Sequence, residues 1–260
     1  LPAEPPALPR GVPPPPLPPP PPWNGWVTLV WMLAALGVWM GAQVVLIIGW
    51  IVADLGMGGA SLDAQDLEAL AYDGDFLGAS TLIAAMVACP FCYLIGRWRR
   101  GFSGWDYLAL LEKPRVLPVI LWSVATVVFG IGFNLVAPYL GVDEVPEFME
   151  NAVRSSEFIP LLILGVVVGA PLVEEFIFRG VLFPGWTASK MGLTGTLVVT
   201  SLVWTLLHAG QYGPVILLYL FLMGMLLGIA RHKTGNLWIP IIMHAVNNAI
   251  AVVETIRVSG

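Results

Sequence analysis

Two adjacent glutamates and an arginine lie inside an apolar run that extends over residues 158–183. A run of this length can cross a bilayer, where charged side chains are costly and mark function more often than not. Glu175 precedes Arg179 by four residues, the favourable order for an ion pair on one helix face. Glu174 is turned about 100° away on the same helix. The spacing predicts that Glu175 holds Arg179 while Glu174 stays free for acid–base chemistry.

Two further polar clusters lie in later apolar runs. His208 follows Trp204 by four residues, and Asn248 follows His244 by four, so each pair lies on one helix face. Asn247 can share the face of His244. Imidazole, amide and carboxylate groups without partners cost free energy in lipid. The three clusters are therefore expected to converge on one polar pocket.

Such a pocket contains the groups that hydrolysis requires. A carboxylate can take a proton from water and pass it to a leaving amine. Histidine and asparagine can donate hydrogen bonds to a developing oxyanion, and imidazoles can also bind a metal or orient the water. The competing interpretation is that these side chains only join helices through interhelical hydrogen bonds.

The composition indicates which elements must position these groups. Of 260 residues, 57% are hydrophobic and 11% are charged, against roughly 25% charged in soluble domains. We predict an all-α, polytopic transmembrane helix bundle with about seven spans, some short interfacial helices and the lipid bilayer as a partner. The net charge of −5 offers no argument for a nucleic-acid partner, and none is expected. The predicted spans are residues 26–52, 76–96, 116–140, 158–183, 193–208, 214–230 and 237–253.

The distribution of basic residues predicts the orientation. The loop 53–75 contains six acids and no Lys or Arg, whereas the next loop is basic. If each predicted span crosses the membrane, successive loops lie on alternate sides, which places ten basic residues on one side and Arg154 and Arg257 on the other. Basic loops face the cytoplasm, so we expect an integral protein of the plasma (inner) membrane with its N-terminus inside and its C-terminus outside. The ten are Arg10, Arg97, Arg99, Arg100, Lys113, Arg115, Arg179, Lys190, Arg231 and Lys233.

The chain divides into three parts. Residues 1–25 form a proline-rich tail, which we expect to be polyproline II or disordered because proline fixes φ and lacks an N–H. Residues 26–157 carry the N-terminal spans and loops, and residues 158–260 carry the three polar clusters. Within the basic loop, residues 102–111 alternate aromatic and apolar side chains, which predicts a short helix along the membrane interface.

The motifs Glu174-Glu175-x-x-x-Arg179, Trp204-x-x-x-His208 and His244-x-x-x-Asn248, in this order on successive spans, resemble the CPBP family of intramembrane metalloproteases. This family includes type II CAAX prenyl endopeptidases and bacteriocin-processing or immunity proteins. The resemblance covers about residues 158–253. Trp204 stands where phenylalanine is more usual, and we expect this aromatic replacement to matter little.

The resemblance implies an intramembrane endopeptidase that hydrolyses membrane-associated substrates, either prenylated CAAX-type or leader-bearing. Glu174 would activate water with help from His208, and His244 and Asn248 would stabilise the oxyanion. Glu175 and Arg179 would support the site. A non-catalytic immunity or scaffold protein that retains the fold is the alternative.

The family label also implies zinc or another divalent metal, with His208 and His244 as its ligands. A zinc site would need a carboxylate as third protein ligand, so Glu174 and Glu175 would have to divide two roles. The same residues permit a mechanism in which glutamate acts without a metal.

Counting residues raises a question of depth. Glu174 is expected toward the cytoplasmic end of the fourth predicted span. His208 ends the fifth span, ~22 Å above its start at 1.5 Å per residue. We therefore expect His208 to lie too far outward to meet Glu174, unless the fifth span is tilted or begins deep in the membrane.

Overall fold

The computed structural model describes residues 22–56, 64–142 and 145–259, and these fold as helices joined by short loops. No strand occurs in the described ranges, so the prediction of an all-α bundle is confirmed. Most of the predicted proline-rich tail, residues 1–21, lies outside them.

Twelve α-helices account for most of this part of the chain. A 3₁₀ turn, Ala137–Leu140, extends α5. In chain order the helices are α1 Gly25–Gly56, α2 Ala64–Tyr72, α3 Gly74–Trp98, α4 Gly104–Tyr107, α5 Val116–Val136, α6 Glu147–Ser155, α7 Ile159–Ile163, α8 Ala170–Glu175, α9 Phe183–Thr187, α10 Gly192–Leu206, α11 Pro214–Thr234 and α12 Trp238–Ser259.

Six helical runs in the described residues are long and apolar enough to cross a membrane. They match six of the seven predicted spans, so the protein is an integral, multi-pass membrane protein. The remaining prediction, residues 193–208, corresponds to α10, whose 15 residues reach only ~22 Å against a hydrocarbon core of about 30 Å. The six runs are Gly25–Gly56, Gly74–Trp98, Val116–Leu140, Ile159–Thr187, Pro214–Thr234 and Trp238–Ser259.

The fourth span is a single helical run that contains two π-helical segments. The first, Leu164–Gly169, precedes α8, and the second, Phe176–Leu182, follows it. In the first, the Ala170 amide bonds back five residues to the carbonyl of Gly165. π-Helical turns inside α-helices occur frequently at functional sites. Both segments flank the short helix that carries the two glutamates.

Glycines allow α3 to approach the fourth span at backbone contact. A Cβ on Gly165 would lie 2.5 Å from Gly78 Cα, and a Cβ on Gly78 would lie 2.6 Å from the carbonyl oxygen of Leu161. Small residues at such crossings let transmembrane helices pack by close van der Waals contact. This crossing fixes the part of the span that leads into the first π segment.

The segment 102–111 contains a short helix, as predicted, and part of it is also buried against the bundle. Its helix, α4, has only four residues and begins with a capping box between Ser103 and Asp106. Tyr107 and Leu108 are buried, and the Tyr107 hydroxyl donates to the carbonyl of Val181 at 3.4 Å. Burial raises the pKa of Tyr107 to about 12. The segment therefore packs into the core through Tyr107 and Leu108. The alternation of aromatic and apolar residues in the sequence did not indicate this burial.

Two of the described basic residues on which the orientation prediction rests are buried. Arg179 and Arg231 are buried within helices, and Arg231 Nε donates to the carbonyl of Arg179 at 3.2 Å. A buried arginine is placed by its contacts inside the bundle, so these two residues carry no information on orientation. Eight of the ten basic residues remain for that prediction. The orientation itself stays a prediction.

Candidate active site

One cavity of about 1020 Å³ is lined by residues from all three polar clusters. The predicted catalytic residues Glu174, His208, His244 and Asn248 all contribute to its wall. They come from α8, the turn after α10, and α12. The expected convergence of the clusters on one pocket is therefore present in the structure.

Glu174 is held at the cavity wall by an indole. Its Oε2 accepts a hydrogen bond from Trp204 Nε1 at 2.5 Å and lies 3.8 Å from His244 Nε2. The side chain is buried, with 5% of its surface exposed. Phenylalanine has no N–H, so it could not make this hydrogen bond, and the expectation that the aromatic replacement matters little does not take this contact into account. The sequence feature that could have indicated this contact is the indole N–H of Trp204, which is a hydrogen-bond donor.

Glu175 joins two partners behind Glu174. Its Oε1 accepts from Arg179 Nη1 at 3.0 Å, the ion pair that the spacing predicted. The same oxygen lies 3.1 Å from His244 Nδ1, a contact that the sequence did not indicate. Arg179 Nη2 donates to the carbonyl of Gly224 at 2.9 Å. Glu175 therefore positions the imidazole of His244, with Nδ1 toward Glu175 and Nε2 toward Glu174.

His208 has a tautomer that its backbone contact specifies. Its Nδ1 lies 3.0 Å from the carbonyl oxygen of Trp204, and because a carbonyl only accepts, Nδ1 is the donor. In the neutral ring Nε2 then carries the lone pair. The ring stacks on Tyr212 with centroids 6.1 Å apart. Nε2 is therefore the atom of His208 that can accept a proton.

Tyr212 is a cavity residue that the sequence reasoning missed. It lies four residues after His208, in the loop before α11, and lines the same cavity. Burial raises the pKa of its phenol, and the charge of Glu174 raises it further. Tyr212 therefore stays protonated at neutral pH and can donate a hydrogen bond. The spacing of four residues between His208 and Tyr212 could have indicated that their rings lie close together. Tyr212 lies in a loop, however, where helical spacing does not apply.

The expected mismatch in depth does not separate Glu174 from His208, because both line one cavity and Trp204, four residues before His208, bonds to Glu174. The fourth span continues to Thr187, so Glu174 lies thirteen residues before its end, or ~20 Å. Trp204 lies twelve residues after the start of α10 at Gly192, or ~18 Å. The side chains of Glu174 and Trp204 therefore lie at one depth, as the hydrogen bond between them requires. The expectation placed Glu174 too near the end of its span, because it ended the fourth span at residue 183 and the helical run continues to Thr187.

Asn248 is anchored to the first π segment. Its Nδ2 donates to the carbonyl oxygen of Val166 at 2.9 Å. An amide nitrogen carries two hydrogens, so one remains for a ligand in the cavity. Asn248 can therefore donate to an oxyanion without losing its anchor.

The predicted metal ligands do not gather into a metal site. Among the residues that the structure describes, no group of three or more His, Cys, Asp or Glu side chains is arranged to hold a metal ion. His244 Nδ1 is engaged by Glu175, and Glu174 Oε2 by Trp204. A catalytic zinc takes three protein ligands as a rule, which this donor set does not supply. We therefore assign no step to a metal.

The cavity extends from the site toward the end of the bundle that carries the acidic loops. Its wall includes Pro138 and Val142 after α5, Phe148 on α6, Tyr212 before α11 and Arg257 near the end of α12. All five lie at the end of the bundle opposite the basic loop 97–115. The cavity wall therefore reaches from Glu174 to the acidic end of the bundle.

Comparison with known proteins supports the resemblance drawn from the motifs. Residues 156–250 match the model of the family described as Type II CAAX prenyl endopeptidase Rce1-like. An Escherichia coli protein named "Uncharacterized 24.3 kDa protein" is 31% identical over 128 residues, which are 47% of this chain and 58% of that protein. A Bacillus subtilis (strain 168) protein named "Putative membrane peptidase YdiL" is 25% identical over 147 residues, 55% of this chain and 59% of that protein.

The chain spans a little under three fifths of the length of each of these relatives. No solved structure matches it. The family match contains Glu174, His208, His244 and Asn248, the residues that the structure brings to one cavity. The resemblance of this chain to the CPBP intramembrane proteases is thus confirmed over residues 156–250, which match the Type II CAAX prenyl endopeptidase Rce1-like family.

Proposed function

We propose that the protein is an intramembrane endopeptidase in which Glu174 activates the water that attacks a peptide bond. The observation that carries this proposal is the position of Glu174. A buried carboxylate faces a large cavity in the membrane region, held by Trp204 on one side and close to His244 on the other. Ionisable groups placed at such expense in a span are functional by default.

The reaction follows from the groups on the cavity wall. Glu174 takes a proton from water as the water oxygen bonds to the carbonyl carbon. The carbonyl oxygen then carries the negative charge, and the second Nδ2 hydrogen of Asn248 donates to it. His244 donates to it from Nε2 when that atom carries a proton. Glu174 returns its proton to the amide nitrogen, the C–N bond breaks, and a carboxylic acid and an amine leave.

His208 assists Glu174 through the lone pair on Nε2. The Trp204 carbonyl fixes this tautomer, so Nε2 can hold the second hydrogen of the attacking water. Orienting the water in this way lowers the entropic cost of attack.

The cavity supports a peptide segment as the substrate. Its volume of about 1020 Å³ lies at the upper end of the range for ligand pockets, about 300–1,000 Å³. Apolar side chains such as Met40, Leu77 and Ile131 form much of its wall. We propose membrane-associated peptides as substrates, either prenylated CAAX-type, as the family description suggests, or leader-bearing.

We expect Trp204→Phe to lower the turnover number roughly tenfold to a hundredfold. The ring and its packing remain, but the donor to Glu174 Oε2 is lost, and hydrogen bonds to charged groups contribute about 1.5–3 kcal/mol. Cleavage of a fluorogenic peptide in detergent measures the effect. The control is Trp31→Phe, because Trp31 Nε1 has no hydrogen-bond partner among the described residues. Equal turnover in both variants would contradict the role of the indole.

Chelation tests the catalytic type. Because the described donors do not form a three-ligand site, we expect cleavage to continue at its full rate after dialysis against EDTA or 1,10-phenanthroline. Elemental analysis of the same sample should find less than one metal ion per chain. Loss of activity that added zinc restores would contradict the metal-free mechanism while leaving the peptidase function intact.

The alternative of a non-catalytic immunity or scaffold protein is decided by the same assay. A peptidase cleaves the peptide, and its biological phenotype disappears in Glu174→Gln. A scaffold shows no cleavage, and its phenotype survives that substitution.

A further inference from the structure

A chain of side-chain hydrogen bonds runs along the cavity wall from α11 to the first π segment. The Tyr219 hydroxyl donates to Asn247 Oδ1, and Asn247 Nδ2 donates to Asn248 Oδ1 at 3.3 Å. Asn248 Nδ2 donates to the carbonyl of Val166 at 2.9 Å. All four residues line the cavity. The chain therefore connects Asn248 to a tyrosine that lies outside the three motifs.

The direction of every bond in this chain is fixed from the Val166 end. A backbone carbonyl only accepts, so Asn248 must present Nδ2 to Val166 and Oδ1 to Asn247. Asn247 must then present Nδ2 to Asn248, which turns its own Oδ1 toward Tyr219. An amide oxygen only accepts, so the Tyr219 hydroxyl is the donor. The orientation of both amides is thus consistent with one arrangement alone.

The hydroxyl of Tyr219 is held in place by two aromatic rings of α5. Phe129 stacks on the Tyr219 ring with centroids 5.1 Å apart and planes 13° apart. The ring centroid of Phe133 lies 4.5 Å from that of Tyr219. Rings packed in this way keep the side chain in one position. The hydrogen-bond chain therefore begins at a rigid donor.

We propose that Tyr219 is a positioning residue, which acts through Asn247 to fix the amide plane of Asn248 and aim its second Nδ2 hydrogen into the cavity. The inference rests on the proposed function, because the hydrogen so placed is the one assigned to the oxyanion. Without the hydroxyl, Asn247 Oδ1 loses its donor, so the Asn247 amide is free to move away from Asn248 Oδ1 and the Asn248 amide keeps only its single bond to Val166, about which its plane can rotate. The donor at Asn248 then spreads over several orientations, and the preorganisation on which oxyanion stabilisation depends is lost.

Tyr219→Phe tests this role while retaining the stacked ring. Removal of a complete oxyanion donor costs about 10²–10³ in turnover, so we expect loss of its orientation to lower kcat about tenfold, with KM within about twofold. The matched control is Tyr139→Phe, which removes a hydroxyl from a side chain that is 89% exposed. We expect wild-type kcat in the control. Wild-type kcat in Tyr219→Phe would overturn the proposal.

A double-mutant cycle separates positioning from a general structural effect. If Tyr219 acts through Asn248, the double variant Tyr219→Phe/Asn248→Ala should turn over at the rate of Asn248→Ala alone. Losses that multiply in the double variant would show that Tyr219 acts elsewhere, and would overturn the proposal.

The side-chain amide signals of ¹⁵N-asparagine-labelled protein test the hydrogen-bond chain without any assay of activity. Asn248 is identified by the pair of signals lost in Asn248→Ala. We expect this pair to shift or broaden in Tyr219→Phe and to stay in place in Tyr139→Phe. An unchanged pair in Tyr219→Phe would overturn the proposal. Absence of wild-type peptidase activity would instead reject the proposed function, so the two failures are distinguishable.

Discussion

Glu174→Gln is expected to lower the rate of peptide hydrolysis by about 10²–10⁴, the range that general acid–base groups contribute. Glutamine has nearly the size of glutamate, and its Oε1 can accept the hydrogen bond from Trp204 Nε1. The fold is therefore expected to remain, while the group that takes the proton from water is lost. Initial rates with a fluorogenic peptide in detergent measure the effect.

The control for Glu174→Gln is the same chemical change at an exposed position. Glu112 lies in the loop before α5 and is exposed, so we expect Glu112→Gln to retain wild-type rates. Thermal unfolding of all three proteins in one detergent establishes that the folds are comparable. Undiminished cleavage by Glu174→Gln would contradict the assignment of the base.

Arg179→Met is expected to have the largest effect on stability. Arg179 and Glu175 are both fully buried, and their atoms lie 3.0 Å apart. Methionine leaves the carboxylate of Glu175 in the core without its cation, and loss of one partner from a buried pair typically costs about 3–5 kcal/mol. The midpoint of thermal unfolding in detergent measures this loss, together with the yield of folded protein from membranes.

Two comparisons identify the cause of that loss. Arg179→Met/Glu175→Gln removes both charges, so we expect it to be more stable than Arg179→Met alone. Arg154→Met removes the arginine of an exposed pair with Glu150, and exposed pairs contribute little. A double variant no more stable than Arg179→Met, or equal losses at positions 154 and 179, would contradict a dependence on the buried charge.

Local spacing was sufficient to predict much of the site. The pairing of Glu175 with Arg179 follows from i,i+4 geometry on one helix, and the structure contains it. The convergence of His208 and His244 on one cavity follows from the cost of placing polar groups against lipid. Both arguments need only the helical period and the polarity of the surroundings, which the sequence contains.

Contacts between helices could not be predicted in the same way. The bond from Trp204 to Glu174 depends on where the fourth span ends, and a difference of four residues changes the depth by ~6 Å. The contact of Glu175 with His244 depends on the rotation of α12 against α8. The π segments around α8 shift the register within the span. Tertiary packing sets each of these quantities, and no local pattern reports them.

The most direct test of the central claim is hydrolysis of a peptide in H₂¹⁸O by purified protein, with the products analysed by mass spectrometry. If Glu174 activates water, wild-type protein should place one ¹⁸O in the new carboxyl group, and Glu174→Gln should yield almost no labelled product in the same time. Labelled product formed by Glu174→Gln at the wild-type rate would contradict the account.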